Sequence, residues 1–240
     1  MNPNLTQSKP KPTKFCMLCH FMKGDIRTAA EKTRNFVLRR QAPYVSPEYY
    51  KFPDTKSCKD ALHLVEKHSP KFLVNHSIRS YAFGLAMSHK INKPVDKEVF
   101  FIGSIMHDIG LTKLSPQNRT FEIEGAMIAR DFSIEHEFST ERSDLIHEMV
   151  ALHNSVGVAH KCEPEIALLH FGAGADVAGL WVHDIHRQTL DEVLDTYHDE
   201  GCKEGMTKLI QEQVLRKPES YMSTMVELGF LNKMAENKLR

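Results

Sequence analysis

What most constrains this chain is a succession of apolar segments at helical spacing, punctuated by Pro, Gly and Asn. Almost nothing in it alternates with the two-residue period of a half-buried strand. The stretch 72–91 places Leu73, Ile78, Tyr81, Ala82 and Leu85 on a helical repeat, and Asn92-Lys93-Pro94 closes it. The stretch 97–109 is apolar nearly throughout and stops at Gly110. The same reading predicts helices over 26–40, 60–67, 122–132, 139–152, 163–181, 190–197, 203–215 and 221–234. Ser139 or Thr140 caps the fourth of these, and Pro164 sits in the first turn of the fifth. There are no internal repeats and no hairpin signal. The expectation is an all-α protein with one helical domain over 55–235. An N-terminal extension over 1–50 precedes it, made of a flexible tail (1–14) and a short basic helix.

Charge narrows the function classes. Lys plus Arg is 31 and Asp plus Glu is 31, so the net charge is zero. That balance argues against a protein that lives on nucleic-acid phosphates or on an anionic membrane, while leaving room for a local basic patch. Residues 1–14 contain no apolar core of a secretion signal. The longest apolar stretch, 166–182, carries His170 and Asp176, which a lipid-spanning helix does not tolerate well. Five cysteines, an odd number, do not make a disulfide framework. The reading is a cytoplasmic protein with a small-molecule substrate, no nucleic-acid partner and no membrane. Cys16-Met17-Leu18-Cys19-His20 matches the pattern of covalent haem attachment, but no second such pair exists to complete a thiolate site. Packing of small apolar residues is the preferred reading there.

Fourteen histidines are the compositional outlier. The dipeptide His-Asp occurs three times, a small excess over chance. His198-Asp199 lies in a charged run and reads as solvated. His183-Asp184 follows Trp181 near a helix end and reads as surface. Only His107-Asp108 follows an apolar run, 99–106. A carboxylate buried beside an imidazole is costly unless something neutralises it, and a divalent cation does so. Imidazole and carboxylate together suit transition metals. His76, among core-type residues, and Asp176, in the Gly- and Ala-rich segment 171–179, are the further candidate ligands.

His76, then Met106-His107-Asp108-Ile109-Gly110, then a distant helical Asp176 resembles the metal set of the HD superfamily of metal-dependent hydrolases. Asn75-His76-Ser77-Ile78-Arg79, the stretch 121–126, the stretch 151–155 and Arg216-Lys217-Pro218-Glu219 further resemble the branch that contains cyanamide hydratase. The resemblance spans roughly 60–230 and implies an HD-type helical domain with its metal site between core helices. One divalent transition metal ion would be held by His76, His107, Asp108 and Asp176. Zinc or iron is favoured, with manganese, nickel or cobalt as alternatives. Dinuclear members place a metal-binding His four residues before a glycine in the helix that follows. Counting back from Gly125, that position is Phe121, so a second ion is not expected. Many phosphohydrolase members carry Lys three residues after the Asp of the pair, where this chain has Leu111.

His153 shares a helical face with Ile146, Met149 and Val150 and is a candidate for proton transfer or for support of the ion. Arg79 follows His76 by one turn and reads as a partner of Glu122 or Glu124, or as an anion binder. His147 reads as surface. The leading function is an enzyme that uses ion-activated water to hydrate or hydrolyse a small molecule, in the manner of cyanamide-hydratase-like proteins. The alternatives are a phosphohydrolase acting on a nucleotide-like phosphoester and a non-catalytic module that binds a metal or ligand.

Overall fold

The structure is a computed structural model that describes residues 13–91 and 93–239; the predicted tail lies largely outside the described residues. Eleven α-helices are present among them, and no strand. They are α1 (Lys14–Val37), α2 (Lys56–His68), α3 (Lys71–Ala86), α4 (Lys97–Met106), α5 (Phe121–Glu135) and α6 (Thr140–Leu152). Then follow α7 (Pro164–Ala178), α8 (Arg187–Thr196), α9 (Cys202–Arg216), α10 (Tyr221–Glu227) and α11 (Phe230–Ala235).

Local chemistry sets most of these boundaries. Thr55, Asp96, Ser139 and Ser220 accept bonds from backbone N–H groups that the first turns of α2, α4, α6 and α10 would otherwise leave unpaired. Helix α7 starts on Pro164 and ends at Gly179, whose φ of 65° lies in the left-handed region. Gly229, at φ 94°, divides the predicted 221–234 helix into α10 and α11.

Helix α3 is enclosed on every side, each residue from Leu73 to Ala86 being buried, polar ones included, so it can only be a central helix. It runs along α7, α5 runs along α6, and α4 lies against α3 and α6. The α3–α7 crossing is a backbone contact. A Cβ on Gly172 would stand 2.0 Å from the Ser80 carbonyl oxygen, and one on Gly84 would stand 2.8 Å from that of Leu168. Large side chains at those points would push apart the helices that carry His76 and Asp176.

Two apolar layers result. The larger is built chiefly from α2 to α8. The smaller joins Leu111 and Phe121 to Met206, Ile210, Met222, Met225 and Met234 of the last three helices, and Met17 of α1 completes it. The N-terminal helix therefore begins at Lys14, well before the predicted 26–40. Met17 and Phe21 give it a buried face, and the Thr13 hydroxyl accepts from Cys16 N–H at 3.2 Å. No helix among the described residues is long and apolar enough to cross a membrane.

Candidate metal centre

His107 and Asp108 stand where α4 ends, not inside it. His107 is the last residue in helical conformation, and Asp108 turns the chain into a short 3-10 turn over Ile109–Leu111. His153 holds the matching position at the end of α6. The final carbonyls of a helix lack partners, and both imidazoles supply one. His107 Nδ1 donates to the Ser104 carbonyl and His153 Nδ1 to the Val150 carbonyl, each at 2.7 Å. With Nδ1 protonated, each Nε2 keeps its lone pair and projects beyond the helix end.

The third imidazole comes from α3. His76 Nδ1 donates to Asp176 Oδ2 at 2.7 Å, which leaves its Nε2 facing the His107–Asp108 pair. His76 Nε2, His107 Nε2 and Asp108 Oδ2 form a triangle with edges of 3.1, 3.2 and 3.5 Å. Donors about 2.1 Å from one ion are separated by roughly 3.0 Å at right angles and 3.4 Å at tetrahedral angles, so these three donors fit an ion. His153 Nε2 lies 3.7 Å from Asp108 Oδ1 and is the next donor outward. All four side chains are almost wholly buried. The C-terminal ends of α4 and α6 both point at this spot, and their negative dipole ends favour a cation.

Charge distribution inside the site follows. Burial pulls the His76 imidazole down, but hydrogen bonds to Asp108 and Asp176 outweigh it and raise its pKa to about 9. Burial raises Asp108, but the neighbouring His107 and a hydrogen bond with His76 hold it well below the usual carboxylate range. Burial, helped by His107, lowers His153 to about 4, so this ring is neutral at pH 7. Without an ion, a proton held by His76 balances the Asp108 charge.

Of the expected site residues, His76, His107 and Asp108 converge on one point and His153 lies beside it. Asp176 lies on the far side of His76. Its Oδ1 accepts from Arg79 Nε at 2.6 Å and its Oδ2 from Arg79 Nη2 at 2.7 Å, both groups fully buried. Burial would raise Asp176, but the guanidinium and His76 bring it to about 2. Arg79 therefore pairs with Asp176 and not with either predicted glutamate. Glu122 accepts from the Asn154 amide and Glu124 from Arg119 N–H, both at 2.8 Å. Phe121 is buried, 5.9 Å from the His153 ring.

Two histidines differ from the sequence reading. His147 is buried, not on the surface, because α6 is enclosed by α4, α5 and α7. His183 is half-buried and Asp184 buried, since Lys90 binds Asp184 and Glu31 of α1 closes over them. That group lies within reach of a common ion, but Lys90 already supplies the positive charge. Cys16 and Cys19 join no ion-sized group among the described residues.

A cavity of about 80 Å³ opens beside the triangle, enough for about three waters. His76, His107, Asp108, His153 and Asn154 form its polar end. His170 joins them, a residue the site reading missed. It lies on one face of α7 with Ala173, Gly174 and Val177, at the i, i+3, i+4, i+7 spacing of a helical stripe, which does not say that the stripe borders a cavity. Its Nδ1 donates to the His153 carbonyl at 2.7 Å, and burial lowers it to about 4. The rest of the wall is apolar and comes largely from Leu111, Phe121, Met206, Ile210, Met222 and Met225. Among the described residues, no Lys or Arg lines the cavity.

The fold and site define an all-helical domain with a buried His/Asp cluster between its core helices, whose spacing would suit a metal ion. Residues 73–170 match the HD domain, a family made up typically of metal-dependent phosphohydrolases. That segment contains His76, His107, Asp108, His153 and His170, while Asp176 lies beyond it. The match is to the HD domain at large and does not reach the cyanamide hydratase branch. A comparison with curated proteins gives no match.

Proposed function

We propose that this protein is a metal-dependent enzyme that adds water to a small uncharged molecule with a polarised carbon, one divalent ion serving each chain. The absence of any cation from the cavity wall carries this reading. A phosphoester brings one or two negative charges, and beyond the ion itself this site would offer them no basic side chain, only two helix C-termini and an apolar wall. An uncharged substrate incurs no such cost. The motif resemblance to the cyanamide hydratase branch supports the same choice, as does Leu111 in place of a lysine.

His76, His107 and Asp108 would hold the ion and His153 would complete its shell. Asp176 would fix the tautomer of His76, with Arg79 fixing Asp176 in turn. When bound there, a divalent ion lowers the pKa of a water towards neutrality and polarises an electrophile. Asn154, held by Glu122, would donate its remaining amide hydrogen to the substrate. His170, neutral at pH 7, would accept a proton or hydrogen bond from a substrate N–H or O–H. The apolar wall excludes bulk water from this end.

A phosphohydrolase remains the second reading, favoured by the family match itself. Metal content and two activities measured on one sample separate the two. The expected result is about one ion per chain, urea formed from cyanamide, and no phosphate released from a generic phosphomonoester. Phosphate release without urea would overturn the proposal in favour of the second reading. In Asp108→Ala, the metal and the activity should disappear together; full occupancy in that variant would refute the ligand assignment.

A further inference from the structure

Helix α1 has two faces of different character. One packs on the body: Met17 is fully buried, Phe21 joins the smaller apolar layer, and Glu31 approaches Lys90 and His183. The other face is apolar and uncovered. Phe15, Leu18, Met22 and Ile26 recur at spacings of three and four residues, and Phe15 is 76% and Ile26 67% exposed. At 100° per residue these four fall within an arc of about 80°, which Ala29 and Val37 extend along the helix.

Cations border that arc on both sides, outnumbering the single acid at its edge, Asp25, which by helical position shares the flank of Lys32. Lys32 lies on one flank and Lys23 and Arg34 on the other, all exposed and without an ion pair among the described residues. Lys14 and Arg27 lie on the same flanks and pair with Glu227 and Glu31. The neutral total conceals the asymmetry. The first forty residues hold nine Lys and Arg against two Asp and Glu, and the remainder holds twenty-two against twenty-nine.

We propose that this face of α1 seats the protein on an anionic lipid surface, with the helix lying in the plane of the interface. The apolar arc enters the acyl boundary while Lys23, Lys32 and Arg34 meet headgroup phosphates. A second copy packed through the same arc would bring these cation rows together, so charge favours the lipid. Helix α1 spans about 36 Å along its axis and is too charged to insert across a bilayer. Its buried face stays on the body, so docking needs no rearrangement of the cavity.

Sedimentation of the full-length protein with vesicles tests this. The protein should pellet with phosphatidylserine/phosphatidylcholine vesicles and not with phosphatidylcholine alone, and added salt should weaken binding. Replacing Lys23, Lys32 and Arg34 together by Ala should weaken partitioning about a hundredfold, near fivefold per cation. Met22→Glu with Ile26→Glu should abolish it. These side chains are exposed, so circular dichroism and melting of both variants should match the wild type. Failure to pellet with anionic vesicles, equal pelleting with neutral ones, or binding unchanged in both variants would overturn the proposal. So would a wild-type dimer that Met22→Glu with Ile26→Glu splits into monomers, which would give the face to a second copy. Retention by polyglutamate without retention by vesicles would give it to an acidic protein.

Discussion

Replacing Asp176 by Asn tests whether the charge behind His76 is structural, functional or both. Arg79 and Asp176 are fully buried and joined by two bonds of 2.6 and 2.7 Å. Asn keeps the shape and removes the charge, so a guanidinium stays buried against a neutral amide. Breaking a buried pair in this way costs about 3–5 kcal/mol. The lower end applies, because Arg79 Nη1 keeps its bonds to the carbonyls of Tyr197 and His198, at 3.1 and 2.8 Å. About 3 kcal/mol corresponds to a fall of roughly 6–12 °C in Tm for a chain of this size. Calorimetry of the metal-free protein measures it. Arg79→Met combined with Asp176→Leu removes both charges and should recover most of the stability. It should not recover metal affinity, which falls about 10–100-fold in either variant because His76 loses its anchor. A Tm for Asp176→Asn within about 2 °C of wild type would refute the assignment of a stabilising buried pair. A double variant no more stable than the single one would show that uncompensated charge is not the cause. Complete loss of metal in Asp176→Asn would make this carboxylate a direct ligand.

Burial sets the pH response of the metal-free protein. His153 and His170 titrate near 4 when folded, against 6.5 in the unfolded chain. The unfolded state thus binds more protons between these values, and stability falls as pH drops from 6.5 to 4, by up to about 3 kcal/mol per residue. Urea unfolding across that range measures the slope; His170→Gln should remove about half of this histidine contribution, and a flat wild-type profile would contradict it. Gly110→Ala would set a Cβ 2.0 Å from the Phe121 carbonyl oxygen and 2.9 Å from Gly125 N. The start of α5 must then move, lowering stability by about 1–3 kcal/mol and weakening metal binding through Asp108, two residues away. Melting and metal titration on one preparation would show both effects, and an unaffected protein would show that the turn has slack.

How much of the site could be read from the sequence depended on how few ways each residue had to be satisfied. A carboxylate next to an imidazole after an apolar run has few resolutions, which is why His107 and Asp108 were legible. Asp176 was recognisable as a carboxylate needing a partner, but residue spacing does not say which nitrogen of His76 it addresses or that Arg79 shares it. His170 was hidden because its apolar neighbours give no sign of a cavity. The apolar runs marked helices reliably, yet the run over 97–109 continues through His107, where the backbone leaves the helix, because burial persists there and helicity does not. The same ambiguity placed His147 on the surface. Its helix is enclosed on several sides, so no single apolar stripe marks the inward direction. The start of α1 was missed because its buried anchors, Met17 and Phe21, belong to an apolar layer whose other members are far along the chain, from Leu73 to Met234.

The cavity has two sources along the chain. The groups suited to holding an ion sit on α3 and at the ends of α4 and α6, in the segment that matches the HD domain. Much of the opposite wall is methionine, isoleucine and phenylalanine from α9, α10 and α11, side chains without a nitrogen or oxygen donor, while Cys202 at the start of α9 comes within reach of His76 and Asp176. Methionine tolerates exchange for other apolar residues better than most core side chains do. Mutations in the wall residues of α9, α10 and α11 can therefore reshape what enters while the reactive end keeps its geometry. Divergence among relatives should gather there, and a library restricted to Met206, Ile210, Met222, Met225 and Phe230 is the natural place to redirect the protein towards a new substrate.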